Sequence, residues 1–299
     1  MNNQLQIGFG SEWAPLQSAV VHDGVHNART LSIQDWCEEI NLDELARHQE
    51  TGPVEREIII EQIKRFHQIL EARGVKLVHP TPIDRADDQV FTRDPCFVVG
   101  NGNKSVLFVA SMRDEYRLPE VKGIASVRDR IAKTIDPPGE GSVVEGGDVF
   151  QMNPELVLVG IGDTTNEAGY QHVKEVLSQN GIEVIAVPHK ALHLDCCLAP
   201  LPDGSALYSK SRLPETSKDI IQCKANIREW HKLDPHEDKK YLASNMLWLD
   251  EKTVVSTTHV PKTNDFLRDK GFKVIEVEFD QMIHMWGSVR CCVCPLLRG

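Results

Sequence analysis

Three times along this chain a helix-like stretch ends at a glycine and runs into a short strand-like segment. This recurrence limits the fold more than any other feature. The copies read LEARG-VKLVHP at Leu70 to Pro80, LSQNG-IEVIAVP at Leu177 to Pro188 and LRDKG-FKVIEVEF at Leu267 to Phe279. Gly74, Gly181 and Gly271 stand where a helix end favours a residue at positive φ, because glycine has no Cβ to clash there. Ahead of the first glycine, Ile59, Ile63, Phe66 and Leu70 are spaced three or four apart and predict one apolar helix face. The runs behind the glycines alternate apolar and polar residues, as half-buried strands do. A weaker fourth copy runs from Ile124 to Ile135 and leads to Ser142–Val144. Any α/β protein alternates helices and strands. What favours a repeat architecture is the segment that follows each copy.

Those segments are Phe91-Thr-Arg-Asp-Pro95, Glu145-Gly-Gly-Asp148, His193-Leu-Asp195 and Arg290-Cys-Cys-Val-Cys-Pro295. Each carries ionisable groups in a loop-like position. Equivalent loops of a closed ring of repeats would all face one axis, so the pattern predicts one site built from residues far apart in sequence. No linker rich in Pro, Gly or Ser divides the chain, and the stretch from Asp136 to Ser142 reads as a loop. One domain over residues 1–299 is expected.

The charge balance narrows the partners. The chain has a formal net charge of −11 and no long basic run, which argues against nucleic acid and suits a cationic substrate. No segment approaches the roughly 20 apolar residues of a membrane helix. The opening MNNQLQIGFGSEW lacks the basic and apolar regions of a signal peptide. Eight cysteines include the groups Cys196–Cys197 and Cys291, Cys292 and Cys294, with Cys37, Cys96 and Cys223 isolated. Adjacent cysteines suit a disulfide framework poorly, so a reducing cytoplasm is expected. A homo-oligomer is compatible with the sequence.

The clusters supply a definite chemistry when taken together. A thiol becomes a strong nucleophile when a nearby cation lowers its pKa, and Arg290 adjoins Cys291. The alternatives are cysteines that merely fill the core, or a zinc site. Zinc sites space cysteines as C-x₂₋₄-C, unlike C-C-x-C here. If His193 and Asp195 lie in a strand they face the same side. Otherwise His193 is an ordinary core histidine. Gly146 and Gly147 permit a sharp turn or a close approach, with Glu145 and Asp148 able to orient a histidine or hold a cation; a solvated turn is the plainer reading. Pro95 favours an extended residue before it, which helps fix Asp94. A thiol and a histidine also suit a hydrolase of amides. Surplus carboxylates hinder an oxyanion but favour attack on a guanidinium, which they grip through paired hydrogen bonds.

FTRDP, EGGD, HLD and RCCVCPLLR, in this order, resemble the guanidine-modifying enzymes of the pentein fold. Among these are arginine deiminase, dimethylarginine dimethylaminohydrolase, arginine dihydrolase and the amidinotransferases. The resemblance spans Glu12-Trp-Ala-Pro-Leu16 to Arg298. It implies an α/β-propeller of five ββαβ units around a central active site. It implies Cys291 as nucleophile, His193 as proton-transfer residue, Glu145 as its partner, and Asp94 and Asp195 as substrate-binding carboxylates, with no metal or organic cofactor. The implied activity is hydrolysis of arginine or a related guanidine through a thiouronium on Cys291. An amidinotransferase would pass the amidino group to an amine instead, and a non-catalytic pentein-fold binding protein is the reading of another class. HLD resembles the deiminases, and Asp195 stands where dimethylarginine hydrolases have Lys. Ser244-Asn-Met-Leu-Trp-Leu-Asp-Glu-Lys252 is similar to the amidinotransferases, and HLDCCLAPL to the arginine dihydrolases. The deiminase arginine that clamps the substrate carboxylate is replaced by Met285-Trp-Gly-Ser288, leaving Arg93, Arg212 or Arg290 as substitutes.

Overall fold

The computed structural model describes residues 4–24, 55–84, 86–137 and 139–299. Cys37 lies outside them. The described strands form five three-stranded sheets built to one plan. In each, a middle strand pairs antiparallel with one neighbour, then passes through a helix to pair parallel with the other. A parallel partner cannot be reached by a tight hairpin, so a crossover helix is needed.

The first unit holds β1 (Leu16–Val20), α1 (Arg56–Glu71) and β2 (Lys76–Val78). The second holds β3 (Cys96–Val99), β4 (Val106–Val109), α2 (Leu118–Arg128) and β5 (Thr134–Ile135). The third is β6 (Val149–Asn153), β7 (Leu156–Ile161), α3 (Glu167–Ser178) and β8 (Glu183–Pro188). The fourth is β9 (Leu198–Pro200), β10 (Ser205–Tyr208), α4 (Glu215–Ala225) and β11 (Glu229–Lys232), followed by the short α5 (Pro235–Tyr241). The fifth is β12 (Leu247–Asp250), β13 (Thr253–Thr257), α6 (Pro261–Asp269) and β14 (Lys273–Val277), followed by α7 (Asp280–His284). The last strand, β15 (Cys294–Arg298), returns to pair antiparallel with β1 and completes the first sheet.

The predicted apolar face of α1 is buried through Ile59, Ile63, Phe66 and Leu70. Gly74, Gly181 and Gly271 all have positive φ, near +80°. The runs behind them are β2, β8 and β14, the half-buried outer strands of their sheets. The weak fourth copy is α2 and β5, although its helix starts at Leu118, before Ile124. A fifth copy, α4 and β11, went unpredicted because Asn226 (φ +54°) takes the left-handed position that glycine fills elsewhere.

Adjacent units share their cores. Phe97 and Phe108 of the second unit pack with Val157 and Val173 of the third. Leu158 of the third meets Tyr208 and Ile221 of the fourth, and Leu207 of the fourth meets Trp248 and Leu267 of the fifth. Leu16 and Phe66 of the first pack with Leu247 and Val277 of the fifth. Val20 and Val78 of the first pack with Cys96 and Leu107 of the second. Among the described residues no helix is long and apolar enough to cross a membrane, and every described cysteine is free.

Candidate active site

The loops that follow the five parallel outer strands are tied to one another in sequence. The N–H of Gly146 donates to the carbonyl of Asp94 at 3.0 Å, joining the loop after β2 to the loop after β5. Leu194 N–H donates to Asp148 Oδ1 at 2.7 Å, which brings in the loop after β8. Ser244 Oγ, in the loop after β11, donates to the carbonyl of Asp195 at 2.9 Å. Asn245 Oδ1 accepts from the backbone N–H groups of Arg290 (3.1 Å) and Cys291 (3.3 Å), in the loop after β14. Arg93 N–H then donates to the carbonyl of Cys291 at 3.0 Å, which returns to the first loop. Asp94, Glu145, His193, Asp195 and Cys291, separated by up to about 200 residues, are all buried on this circuit.

His193 is held from two sides. Its Nε2 is 2.9 Å from Glu145 Oε2, while Glu145 Oε1 accepts from the backbone N–H of Arg113 at 2.9 Å. Its Nδ1 faces Asp94 Oδ1 at 3.8 Å. Burial disfavours the imidazolium, but the charge of Asp94, the Glu145 hydrogen bond and the charge of Asp148 outweigh it and raise the His193 pKa to about 10. The ring is therefore a proton donor at neutral pH. Asp148, the last residue of EGGD, ties the loops together: it accepts from the hydroxyls of Thr164 and Thr165 and from the Leu194 N–H, and pairs with His189 at 2.9 Å.

Both glycines of EGGD are dictated by close approach. A Cβ on Gly146 would collide with the carbonyl oxygen of Arg93, and one on Gly147 would lie 2.6 Å from the His193 ring and 3.0 Å from Asp94 Oδ1. Gly147→Ala is expected to destabilise the protein by about 1–3 kcal/mol, since ring and carboxylate must both shift. A urea midpoint equal to that of the parent would show that the loop yields freely.

The carboxylates have unequal surroundings. Asp94 Oδ2 accepts from Arg117 at 3.1 Å, and Arg117 also makes paired bonds to Glu120. Arg117 is buried, yet Glu120 and Asp94 raise its pKa, so it stays cationic. Asp94 Oδ1 has no hydrogen-bond donor among the described residues, and neither does Asp195 Oδ2. Asp195 Oδ2 lies 3.3 Å from Arg290 Nε, without hydrogen-bond alignment. Burial raises the Asp195 pKa, against the charges of Arg290 and His193. Behind it, Glu12 bridges Arg290 (2.6 Å) and Arg93 (3.1 Å) and is held near a pKa of about 2, the two guanidiniums overcoming burial.

Besides the less buried trio His259, Glu278 and Asp280, two sets of residues in this site bring potential ligand atoms close enough to hold a metal ion: Asp94, Glu145 and His193, and His193, Asp195 and Cys196. Each already has an internal cation beside it. Arg117 lies 3.1 Å from Asp94 and 3.8 Å from Glu145, and Arg290 lies beside Asp195.

Several expectations are corrected here. HLD is not a strand: His193 is extended and Leu194–Cys196 form a 3₁₀ turn, so alternation does not set the two side chains. Cys291 and Cys292 lie in a turn of their own, closed by Val293 N–H to the carbonyl of Arg290, about which the sequence raised no expectation. The charge of Arg290 does not prevail at Cys291. Its guanidinium stacks on Phe150 at 4.1 Å and faces Glu12 and Asp195, while burial, Asp195, Cys196 and Asp94 push the Cys291 thiol well up. None of the three candidate carboxylate clamps is unengaged: Arg93 pairs with Glu12, Arg212 with Asp238 and Arg290 with Glu12 and Asp195. Arg117, Glu12 and Asn245 were given no site role: Glu12 and Asn245 stood only in stretches that carry the resemblance, and the charged run Arg113-Asp-Glu-Tyr-Arg117 matches none of the four motifs.

The four motifs and the five-sheet fold define the guanidine-modifying enzymes of the pentein superfamily. The family described as N,N dimethylarginine dimethylhydrolase, eukaryotic, matches residues 38–298, and the chain belongs to it. The uncharacterized protein YkgA of Bacillus subtilis (strain 168) is 27% identical over 296 residues, covering 97% of this chain and 94% of its own length. The N(G),N(G)-dimethylarginine dimethylaminohydrolase of Streptomyces coelicolor is 25% identical over 248 residues, covering 83% and 89%. Among solved structures, SxtG, an amidinotransferase of the saxitoxin biosynthetic pathway from Microseira wollei, aligns with a TM-score of 0.74. It is 19% identical and covers 98% of this chain and 97% of its own. The chain is thus similar in sequence to a dimethylarginine dimethylaminohydrolase and in fold to an amidinotransferase.

Proposed function

We propose that this chain is a cysteine-dependent hydrolase of a guanidino compound, arginine or a related guanidine, acting through a thiouronium on Cys291. The observation that carries the reading is the pair of buried carboxylate oxygens, Asp94 Oδ1 and Asp195 Oδ2, that lack donors among the described residues. Such an orphan costs about 1–3 kcal/mol or more. A planar guanidinium offers two outward-facing edges of N–H donors that satisfy both. The chain acts as a single catalytic domain, its five units closed into a propeller. The shared cores and the circuit of loop hydrogen bonds support that arrangement.

In the resting site the thiol is neutral and His193 is protonated. The guanidinium brings positive charge beside the sulfur and favours the thiolate, the thiol proton passing to water. The thiolate attacks the guanidinium carbon. His193 Nδ1 protonates the departing nitrogen, and ammonia or an amine leaves. The neutral ring then takes a proton from water, which adds to the thiouronium. Collapse breaks the C–S bond as the hydroxyl proton passes to the departing sulfur, which releases the ureido product and restores the neutral thiol. Glu145 keeps Nε2 occupied, so that Nδ1 is the atom that moves the proton.

The amidinotransferase reading rests on the likeness of the stretch from Ser244 to Lys252 and shares every step up to the thiouronium. The test is a panel of guanidino compounds with and without amine acceptors, following ammonia, amine and ureido product. The hydrolase is expected to form ureido product at a rate indifferent to acceptor. Product appearing only on the acceptor assigns a transferase, and no turnover of any member assigns the non-catalytic class.

A further inference from the structure

The loop after β11 holds none of the ionisable groups used above, yet it reaches the reacting atom. Asn245 is buried, and its Nδ2 donates to Cys291 Sγ at 3.1 Å. The other end of the amide fixes this orientation. Oδ1 accepts from the N–H groups of Arg290 and Cys291, so the reverse amide would set its NH₂ against two donors and its oxygen against the sulfur.

The sulfur needs such a donor. Its charged neighbours Asp195 and Asp94 oppose a thiolate, and the adjacent Arg290 points to Glu12 and Asp195. A backbone N–H at Ser288 and the charge of Arg290 favour negative sulfur, and the amide of Asn245 is a side chain that donates to it directly. A hydrogen bond to an anion is roughly twice as strong as one to its neutral form, so this contact strengthens as the thiol ionises. The chain reaches the position by a deliberate turn. Leu242 takes a left-handed conformation (φ +51°) at the end of α5, Asn245 N–H donates to its carbonyl at 2.8 Å, and Ser244 anchors to Asp195.

We propose that Asn245 is a further catalytic residue, a neutral donor that stabilises the Cys291 thiolate and aims its sulfur. This rests on the reading of Cys291 as nucleophile. It accounts for a nucleophile placed among carboxylates whose adjacent cation, Arg290, is shared with Glu12 and Asp195. The substrate supplies positive charge from one side, and Asn245 supplies an oriented N–H from another.

The test titrates the thiol in the full chain without any guanidino compound. Alkylation of Cys291 by iodoacetamide is followed against pH, with the modified residue located by mass spectrometry. Asn245→Leu removes the donor at similar volume. Asn245→Asp keeps both acceptor bonds to the backbone and places an oxygen against sulfur. Both are expected to shift the onset of reactivity upward by about one pH unit or more, leaving roughly tenfold less reactive thiolate at neutral pH. Asn245→Asp should shift further, and it decides the matter if Asn245→Leu fails to fold. A pH profile unchanged from the parent in a folded variant overturns the proposal. Because alkylation needs no substrate, failure of the guanidine panel leaves this result readable. Normal turnover with an unshifted Asn245→Leu thiol defeats this inference alone.

Discussion

Cys291→Ser is expected to abolish turnover, with a loss of at least about 10³-fold, while the protein stays folded. The substitution is nearly isosteric, and Asn245 can donate to a hydroxyl oxygen as it does to sulfur. What is lost is chemistry. A hydroxyl is a far weaker acid than a thiol, so the serine would need a general base in contact with it. His193, raised to about 10, already carries its proton at neutral pH and cannot serve as one. In the proposed mechanism the cysteine avoids this problem by ionising as the cationic substrate arrives. The same reasoning makes a cationic amidine reagent a faster inactivator than a neutral haloacetamide of equal intrinsic reactivity. Mass spectrometry of a quenched reaction should find the adduct on Cys291 in the parent and on no residue in the variant. An adduct on Cys292 or Cys294 would move the nucleophile and remove the basis for the mechanism.

The parts of this architecture that are local were legible in the sequence, and those that depend on long-range packing were not. Glycines at helix ends and the apolar stripe from Ile59 to Leu70 reflect constraints within a few residues, and they locate α1, β2, β8 and β14. The unit formed by α4 and β11 escaped because Asn226 does what glycine does elsewhere, through a short side chain that tolerates the left-handed region. The Glu145–His193 pair was expected and stands at 2.9 Å. The strand argument for His193 and Asp195 failed because Asp148 draws the Leu194 N–H into a 3₁₀ turn, a force exerted from another unit. The electrostatics were the least legible. Arg290 adjoins Cys291 in sequence, but Glu12, nearly the whole chain away, turns its guanidinium aside. Arg117 supports Asp94 from a segment with no recognisable motif.

Replacing either carboxylate proposed to face the substrate tests the charge logic most directly. Asp195→Asn is expected to lower kcat/KM for a guanidinium substrate by about 2–5 kcal/mol, roughly 30-fold to several thousandfold. The Asn amide keeps one acceptor but brings a donor to an edge where the substrate presents only donors. Binding of a neutral urea analogue should fall much less, because no full charge is then left unmatched. Asp94→Asn should show the same asymmetry together with lower stability, since Arg117 loses a partner in a buried network. The Asp195 carboxyl also offers a second signature. Burial raises its pKa, and a bound cation must pull it down. Substrate binding at a pH below the raised value therefore releases a proton from Asp195. In calorimetry the binding heat should change with the ionisation heat of the buffer, and Asp195→Asn should reduce that dependence. Equal losses for cationic and neutral ligands, with an unchanged buffer dependence, would make these carboxylates structural supports and leave the guanidinium without a binding site.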